Sequence, residues 1–189
     1  MGTERLLSRN EKVFRKGVSA SSIYRLETGC IRTCANSSNG RRLIIAFYFP
    51  GDYFGLELHD KHLVSAEAVI SSKVLVIPAK SLAARAATDL TLTKHMLAIT
   101  NAELRRAQNH NLLLRNSANE RVANFLFDMK QRNGRKDVAL FMSRQDIADH
   151  LSLTIETVSR ALTKLKKKLA ISRVTRRHVT VHLRKRLAA

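Results

Sequence analysis

Glu156 and Arg160 stand four residues apart in the stretch Ser143–Lys168 (SRQDIADHLSLTIETVSRALTKLKKK), with Thr157 and Ser159 between them. On a helix that spacing puts the carboxylate and the guanidinium on one face. A guanidinium can donate two parallel hydrogen bonds to O6 and N7 of guanine, and a carboxylate can accept from cytosine N4 or adenine N6. Thr157 offers a methyl group to a thymine methyl, and Ser159 a hydroxyl to a base or phosphate oxygen. The plainer use of the same pair is an ion pair on a solvated helix face, worth about 0.3 to 0.5 kcal/mol. Taken alone, the spacing fits both uses equally.

Two other groups could do chemistry. Cys30 and Cys34 are the two cysteines of the chain. Along an extended strand their Cα atoms lie about 13 Å apart at ~3.3 Å per residue. Bridged Cα atoms lie within about 7 Å, so a disulfide requires a bend. Two reduced thiols in the cytosol are expected, with a redox role for Cys30 and Cys34 as the alternative. His59 and His62 are three apart and could touch one metal on a helix, yet no third ligand stands near them in sequence. A polar loop is expected there, no metal site, and haem binding is the alternative. Phosphate-binding glycine loops, HExxH and G-x-S-x-G are absent, and no acid–base pair stands out, so an enzyme is not expected.

The elements that position Glu156 and Arg160 are legible in the same stretch. Ser143 followed by Asp146 suits a helix N-cap with an acidic partner at the positive end of the dipole. Ile147, Ala148 and Leu151 supply an apolar stripe. Ser152-Leu153 makes a short connection, and Thr154 can cap a second helix over 154–168. Val158, Ala161, Leu162 and Leu165 form the buried stripe of that helix. Its opposite face carries Ile155, Glu156, Thr157, Ser159, Arg160, Thr163 and Lys164. Two short helices on a tight turn are the pattern of a helix-turn-helix, whose second helix enters the DNA major groove.

Charge favours a polyanionic partner. The chain of 189 residues carries a net charge of +19. Residues 1–100 hold 14 basic and 8 acidic side chains, net +6, and residues 101–189 hold 20 and 7, net +13. From Ser143 onward 12 basic residues face 3 acidic ones, net +9. This gradient supplies sequence-independent phosphate affinity. No long apolar run, amphipathic terminal helix or lipidation motif accompanies it, so double-stranded DNA is the expected partner and a membrane is not. With neither signal peptide nor transmembrane span in view, a cytoplasmic location is expected. After the second helix, Leu169–Val174 and Val179–Leu183 are β-rich runs around the basic stretch Thr175–His178. They read as a hairpin wing with Arg173, Arg176, Arg177 and His178 at its tip. Ser143, Arg144, Lys164, Arg176 and Arg177 are the expected phosphate contacts.

The N-terminal half has a different texture. Gly17, Gly29, Gly40, Gly51 and Gly55 divide it into short strand-like runs, among them Ser22–Leu26, Cys30–Thr33, Leu43–Phe49 and Lys73–Ile77. Such spacing predicts an antiparallel sandwich or barrel. Pro78 opens a helical region, and over residues 89–115 Leu90, Leu97 and Leu104 recur a heptad apart, with Met96, Ile99 and Ala107 nearby. That seam suits either a helix packed on its own domain or a dimer coiled coil, and Asn101, Gln108 and Asn111 weaken it.

The stretch Leu153–Lys167 (LTIETVSRALTKLKK) resembles the recognition helix of the Crp/Fnr family of bacterial transcription regulators. Its core Glu156–Arg160 (ETVSR) is similar to the FNR/FixK branch. The resemblance extends over nearly the whole chain: Arg15-Lys16-Gly17, Tyr24–Gly29, Asn39-Gly40-Arg41-Arg42, the turn Phe49–Gly55 (FPGDYFG) and Ala118–Ala123 fall in the family's order. It implies an α+β fold: an N-terminal antiparallel β-roll (a cyclic-nucleotide-binding-like jelly roll) over residues 1–86, a dimerisation helix over 87–115, and a C-terminal winged helix-turn-helix over 116–189. It also implies a homodimer that reads a palindrome of TTGA and TCAA half-site elements, with RNA polymerase as a further partner. Base contacts then fall to Ile155, Glu156, Thr157, Ser159 and Arg160, and dimerisation to Leu90, Leu97 and Leu104.

Departures from the family bear on its effectors. Relatives that bind cyclic nucleotide use a Gly-Glu pair and a later Arg with Ser or Thr. Here Gly55-Leu56-Glu57 is present, but no arginine lies between Arg42 and Arg85. Oxygen-sensing relatives need four cysteines for their cluster, and two are too few. No cofactor is therefore expected. Against the family, the sensor half looks short at its N-terminus, with the first strand expected near Lys12. An effector-gated sensor of haem, nitric oxide or redox state, and an RNA-binding module, stay open as alternatives.

Overall fold

Alternating burial makes strands of the glycine-punctuated runs. The computed structural model describes residues 2–38, 40–57, 60–133, 137–172 and 178–182. The chain divides into two compact units, Met1–Arg106 and Ala107–Ala189.

In the first unit the strands are β1 (Thr3–Leu7), β2 (Lys12–Phe14), β3 (Ser22–Thr28), β4 (Ile31–Asn36), β5 (Arg42–Tyr48), β6 (Tyr53–Phe54), β7 (Ser65–Ala68) and β8 (Ser72–Pro78). They form two antiparallel sheets, ordered β1-β8-β3-β6 and β2-β7-β4-β5. The inward positions of both sheets make one core, with Leu7, Phe14, Leu26, Ile31, Phe54 and Val74 buried together. The β-roll is thus the observed architecture. Its first strand begins at Thr3, which corrects the expectation of a start near Lys12. Charged Glu4 and Arg5 hide the alternation in sequence, but five residues of β1 pair with β8, and Leu7 is buried. β6 and β7 are too short to show a period by themselves.

Two glycines shape the turn after β5. Gly51 (φ 94°) and Gly55 (φ 73°) both occupy the left-handed region that other residues avoid. The Asp52 carboxylate accepts from the Phe49 amide (2.7 Å), and the Asp52 amide donates back to the Phe49 carbonyl (2.9 Å). A side chain at Gly55 would also come within 2.9 Å of the Tyr24 ring.

Pro78 ends β8 and stands at the N-cap position of helix α1 (Ala79–Ala86). Asp89 then accepts from the Leu92 amide at 3.0 Å and starts α2 (Leu90–Leu113). One stripe of α2 is half-buried: Leu92, Met96, Ile99, Glu103 and Arg106. The carboxylate of Glu103 lies 3.5 Å from the Tyr48 hydroxyl. Arg106 reaches Asp52 at 3.5 Å and stands 2.6 Å from Glu103, an ion contact rather than an aligned hydrogen bond. These contacts fasten α2 to β5 and the Asp52 turn. The opposite stripe is bare: Leu90, Leu97 and Leu104 are 68%, 61% and 57% exposed.

The second unit holds α3 (Ala118–Asn133), β9 (Asp137–Ala139), α4 (Arg144–Leu151), α5 (Ile155–Lys167), β10 (Ile171–Ser172) and β11 (His178–Val181). Ser117 and Glu120 cap α3. The strands form a three-stranded antiparallel sheet ordered β10-β11-β9. Val122, Leu126, Met142, Ile147, Leu151, Val158, Leu162, Ile171 and Val179 are among the buried apolar residues of this unit. Arg173, Arg176 and Arg177 of the expected wing tip lie outside the described residues, and His178, expected with them, instead begins β11 and pairs with Ala139. β9 gave no sequence signal, since three residues are too few for one.

Candidate nucleic-acid interface

Capping sets where both helices begin. The Ser143 hydroxyl accepts from the Asp146 amide (3.1 Å), and the Asp146 carboxylate accepts from the Ser143 amide (2.9 Å). This reciprocal box satisfies two otherwise orphaned donors of α4. α4 ends on Ser152 in the left-handed conformation (φ 53°), and the Leu153 amide reaches back to the Ala148 carbonyl at 2.9 Å. Arg121 of α3 donates to the Leu151 carbonyl at 3.0 Å, which seals the last turn of α4. Thr154 then accepts from the Thr157 amide and starts α5.

The two faces of α5 separate as periodicity predicts. Val158, Ala161, Leu162 and Leu165 are buried. Ile155, Glu156, Arg160, Thr163 and Lys164 are exposed, and Thr157 and Ser159 are half-buried. Ile155 is 39% open to water at the start of the helix. Lys164, Lys166, Lys167 and Lys168 crowd the last turn, where cations suit the helix dipole.

Glu156 is not chiefly a partner of Arg160. Its carboxyl is held below the usual range first by its own backbone amide, then by the Thr154 hydroxyl, and only in smaller part by the Arg160 charge. The carboxylate is therefore ionised at neutral pH. The Thr157 hydroxyl is engaged with that of Thr154 at 3.0 Å. Ser159 accepts from Arg144 Nη1 of α4 at 3.2 Å, a link no sequence pattern announces. The stack of His110 on His150 (4.3 Å between centroids) was likewise invisible in sequence. Burial pulls the His110 imidazole below its ordinary pKa.

In the first unit, Cys30 and Cys34 are unbridged. A bulge between Thr33 and Cys34 breaks the strand alternation. Burial pushes the Cys34 thiol up to about 12, and the neighbouring Glu67 carboxylate adds to the shift. A thiol so held is a poor nucleophile, which weighs against the redox alternative. His62 departs from the expected polar loop: it is 2% exposed, stacks on Phe14 at 3.6 Å, and pairs with Glu57 at 3.0 Å. Phe14, Tyr24 and Phe54 form an aromatic core, and the His62 ring completes it. His59 lies outside the described residues. Among the described residues no group of three or more His, Cys, Asp or Glu side chains is arranged to hold a metal ion.

Residues 120–189 match the model of the Crp-like helix-turn-helix domain, and residues 4–89 match that of the cyclic nucleotide-binding domain. The nitrogen fixation regulation protein FixK of Azorhizobium caulinodans is 42% identical over 194 residues, which cover 99% of this chain and 78% of that protein. The chain belongs to the Crp/Fnr family. It is a FixK/FNR-type transcription regulator with a helix-turn-helix DNA-binding domain. The structure of FixK2 from Bradyrhizobium japonicum superimposes with a TM-score of 0.93 at 40% identity, covering 99% of this chain and 96% of that one. The transcriptional activator protein Anr of Pseudomonas protegens is 33% identical, over 85% of this chain and 69% of its own length.

Proposed function

We propose that this regulator binds, as a homodimer, a palindrome with TTGA and TCAA half-site elements, and that α5 is the base reader. The observation that carries this reading is the outer face of α5. It presents Ile155, Glu156 and Arg160 to solvent, with Thr157 and Ser159 half-buried beside them. Arg160 bonds O6 and N7 of the guanine, Glu156 accepts from cytosine N4 or adenine N6, and Thr157 meets a thymine methyl. Ser159 contributes its hydroxyl. Ser143, Arg144 and Lys164, together with Arg176 and Arg177 of the wing, hold phosphates and set register without reading sequence.

The bare leucine stripe of α2 supports dimerisation. Two copies packed along Leu90, Leu97 and Leu104 bury that stripe and place two α5 helices for two half-sites. In functional terms residues 1–86 form a sensor-like domain, 87–115 the dimer helix and 116–189 the DNA reader. RNA polymerase is the expected protein partner, and a cytoplasmic location follows from a DNA target. No helix among the described residues is long and apolar enough to cross a membrane.

The test is a gel-shift titration at physiological salt, comparing the TTGA/TCAA palindrome with a scrambled duplex of equal length. Preference for the palindrome by on the order of a thousandfold or more is expected of a specific regulator. Equal affinity for both duplexes overturns the reading.

A further inference from the structure

Arg144 is the first residue of α4, and it reaches across the helix-turn-helix to Ser159 on the outer face of α5. Its Nη1 donates to Ser159 Oγ at 3.2 Å. Among the described residues this guanidinium is the one hydrogen-bond partner of that hydroxyl. A guanidinium has donors and no acceptor, so the serine oxygen can only accept from it. The hydroxyl keeps one proton to give, and that proton has no acceptor within the described protein. A cationic donor on the oxygen also polarises the O–H bond, strengthening it as a donor and weakening the remaining lone pair as an acceptor.

We propose that Arg144 is a positioning residue that fixes Ser159 as a hydrogen-bond donor toward the base it meets. The proposal rests on α5 being the base reader. A donor selects acceptor edges in the major groove: thymine O4, or guanine O6 and N7. Cytosine shows the amino donor N4 at the same place, so a cytosine there meets donor with donor. A free serine accepts or donates with equal ease and discriminates little. Arg144 thus confers sequence preference through Ser159, beside any phosphate contact of its own.

Equilibrium binding of the full-length protein tests this, using duplexes in which each thymine of the TTGA half-site is exchanged for cytosine in turn. Wild type, Arg144→Met, Ser159→Ala and the double variant are compared by the ratio of their affinities for thymine and cytosine duplexes. Arg144 is exposed and Ser159 half-buried, so neither change touches the core. Loss of the Arg144 charge weakens binding to every duplex alike and cancels in the ratio. At one position wild type should favour thymine by about two- to tenfold, the worth of one hydrogen bond. Arg144→Met and Ser159→Ala should each abolish that preference, and the double variant should lose no more than either.

A preference that vanishes in Ser159→Ala but persists in Arg144→Met overturns the proposal. So does a position-specific effect of Arg144→Met that is as large when Ser159 is already alanine. If wild type selects the palindrome but no position responds to Ser159→Ala, only this inference fails. If wild type does not select the palindrome at all, the base-reading function fails with it.

Discussion

Leu97→Ala separates a dimer seam from a helix packed on its own domain. Leu97 is 61% exposed at the middle of α2, with Leu90 and Leu104 one heptad to either side. Fully burying a leucine is worth about 1.5–3 kcal/mol, so the six-tenths still open offer about 1–2 kcal/mol. A symmetric dimer contains the residue twice, which raises the loss on truncation to about 2–4 kcal/mol. The dimer Kd should therefore rise by about thirty- to a thousandfold. Sedimentation velocity over a dilution series measures that change directly. The melting of the dissociated chain gives the control: a substitution at an exposed site should shift its stability by no more than about 0.5 kcal/mol. An unchanged dimer Kd, or a loss of stability in the isolated chain equal to the whole effect, refutes the seam.

Arg160→Ala should cost about 1–3 kcal/mol on the cognate palindrome and relax selection at the guanine; equal losses on cognate and random DNA in a filter-binding assay count against it. Cys34 should resist alkylation at pH 8 in the folded protein and react once denatured, as read by mass spectrometry, because burial holds its thiol up to about 12. The sign for stability follows from that raised value: the thiol's contribution is full below its ordinary 9.0 and is lost as the pH climbs toward about 12. Leu169 is 81% exposed in the left-handed region (φ 56°) just after α5, so Leu169→Gly should stabilise the second unit by about 1 kcal/mol in urea unfolding. A lower midpoint for that variant would show that Leu169 is held by something other than the helix ending.

Much of the DNA-binding unit was legible because its signals are local. A capping serine with Asp146 three residues on, a stripe at Ile147 and Leu151, and another at Val158, Leu162 and Leu165 each lie within two turns of chain. The β-roll was legible as a class, since turn glycines and alternation mark strands, but not strand by strand. β1, β6 and β7 owe their state to partners far along the chain: β1 to β8, β6 to β3, and β7 to β2 and β4. Such pairing is non-local, and two to five residues cannot announce it.

By itself the sequence determined a β-rich half followed by a helix-turn-helix, the charge gradient, and which residues of α5 face away from the core. These follow from helical periodicity and composition. Only the tertiary structure decided which use His62 and α2 make of their chemistry. His62 belongs to an aromatic core assembled from β2, β3 and β6 rather than to a surface loop. α2 turns Leu92, Met96 and Ile99 inward and leaves Leu90, Leu97 and Leu104 bare, a choice between two apolar stripes that the heptad alone could not make. The reason is common to both. A side chain's chemistry is set by what stands within a few ångströms of it, and those neighbours come from other parts of the chain.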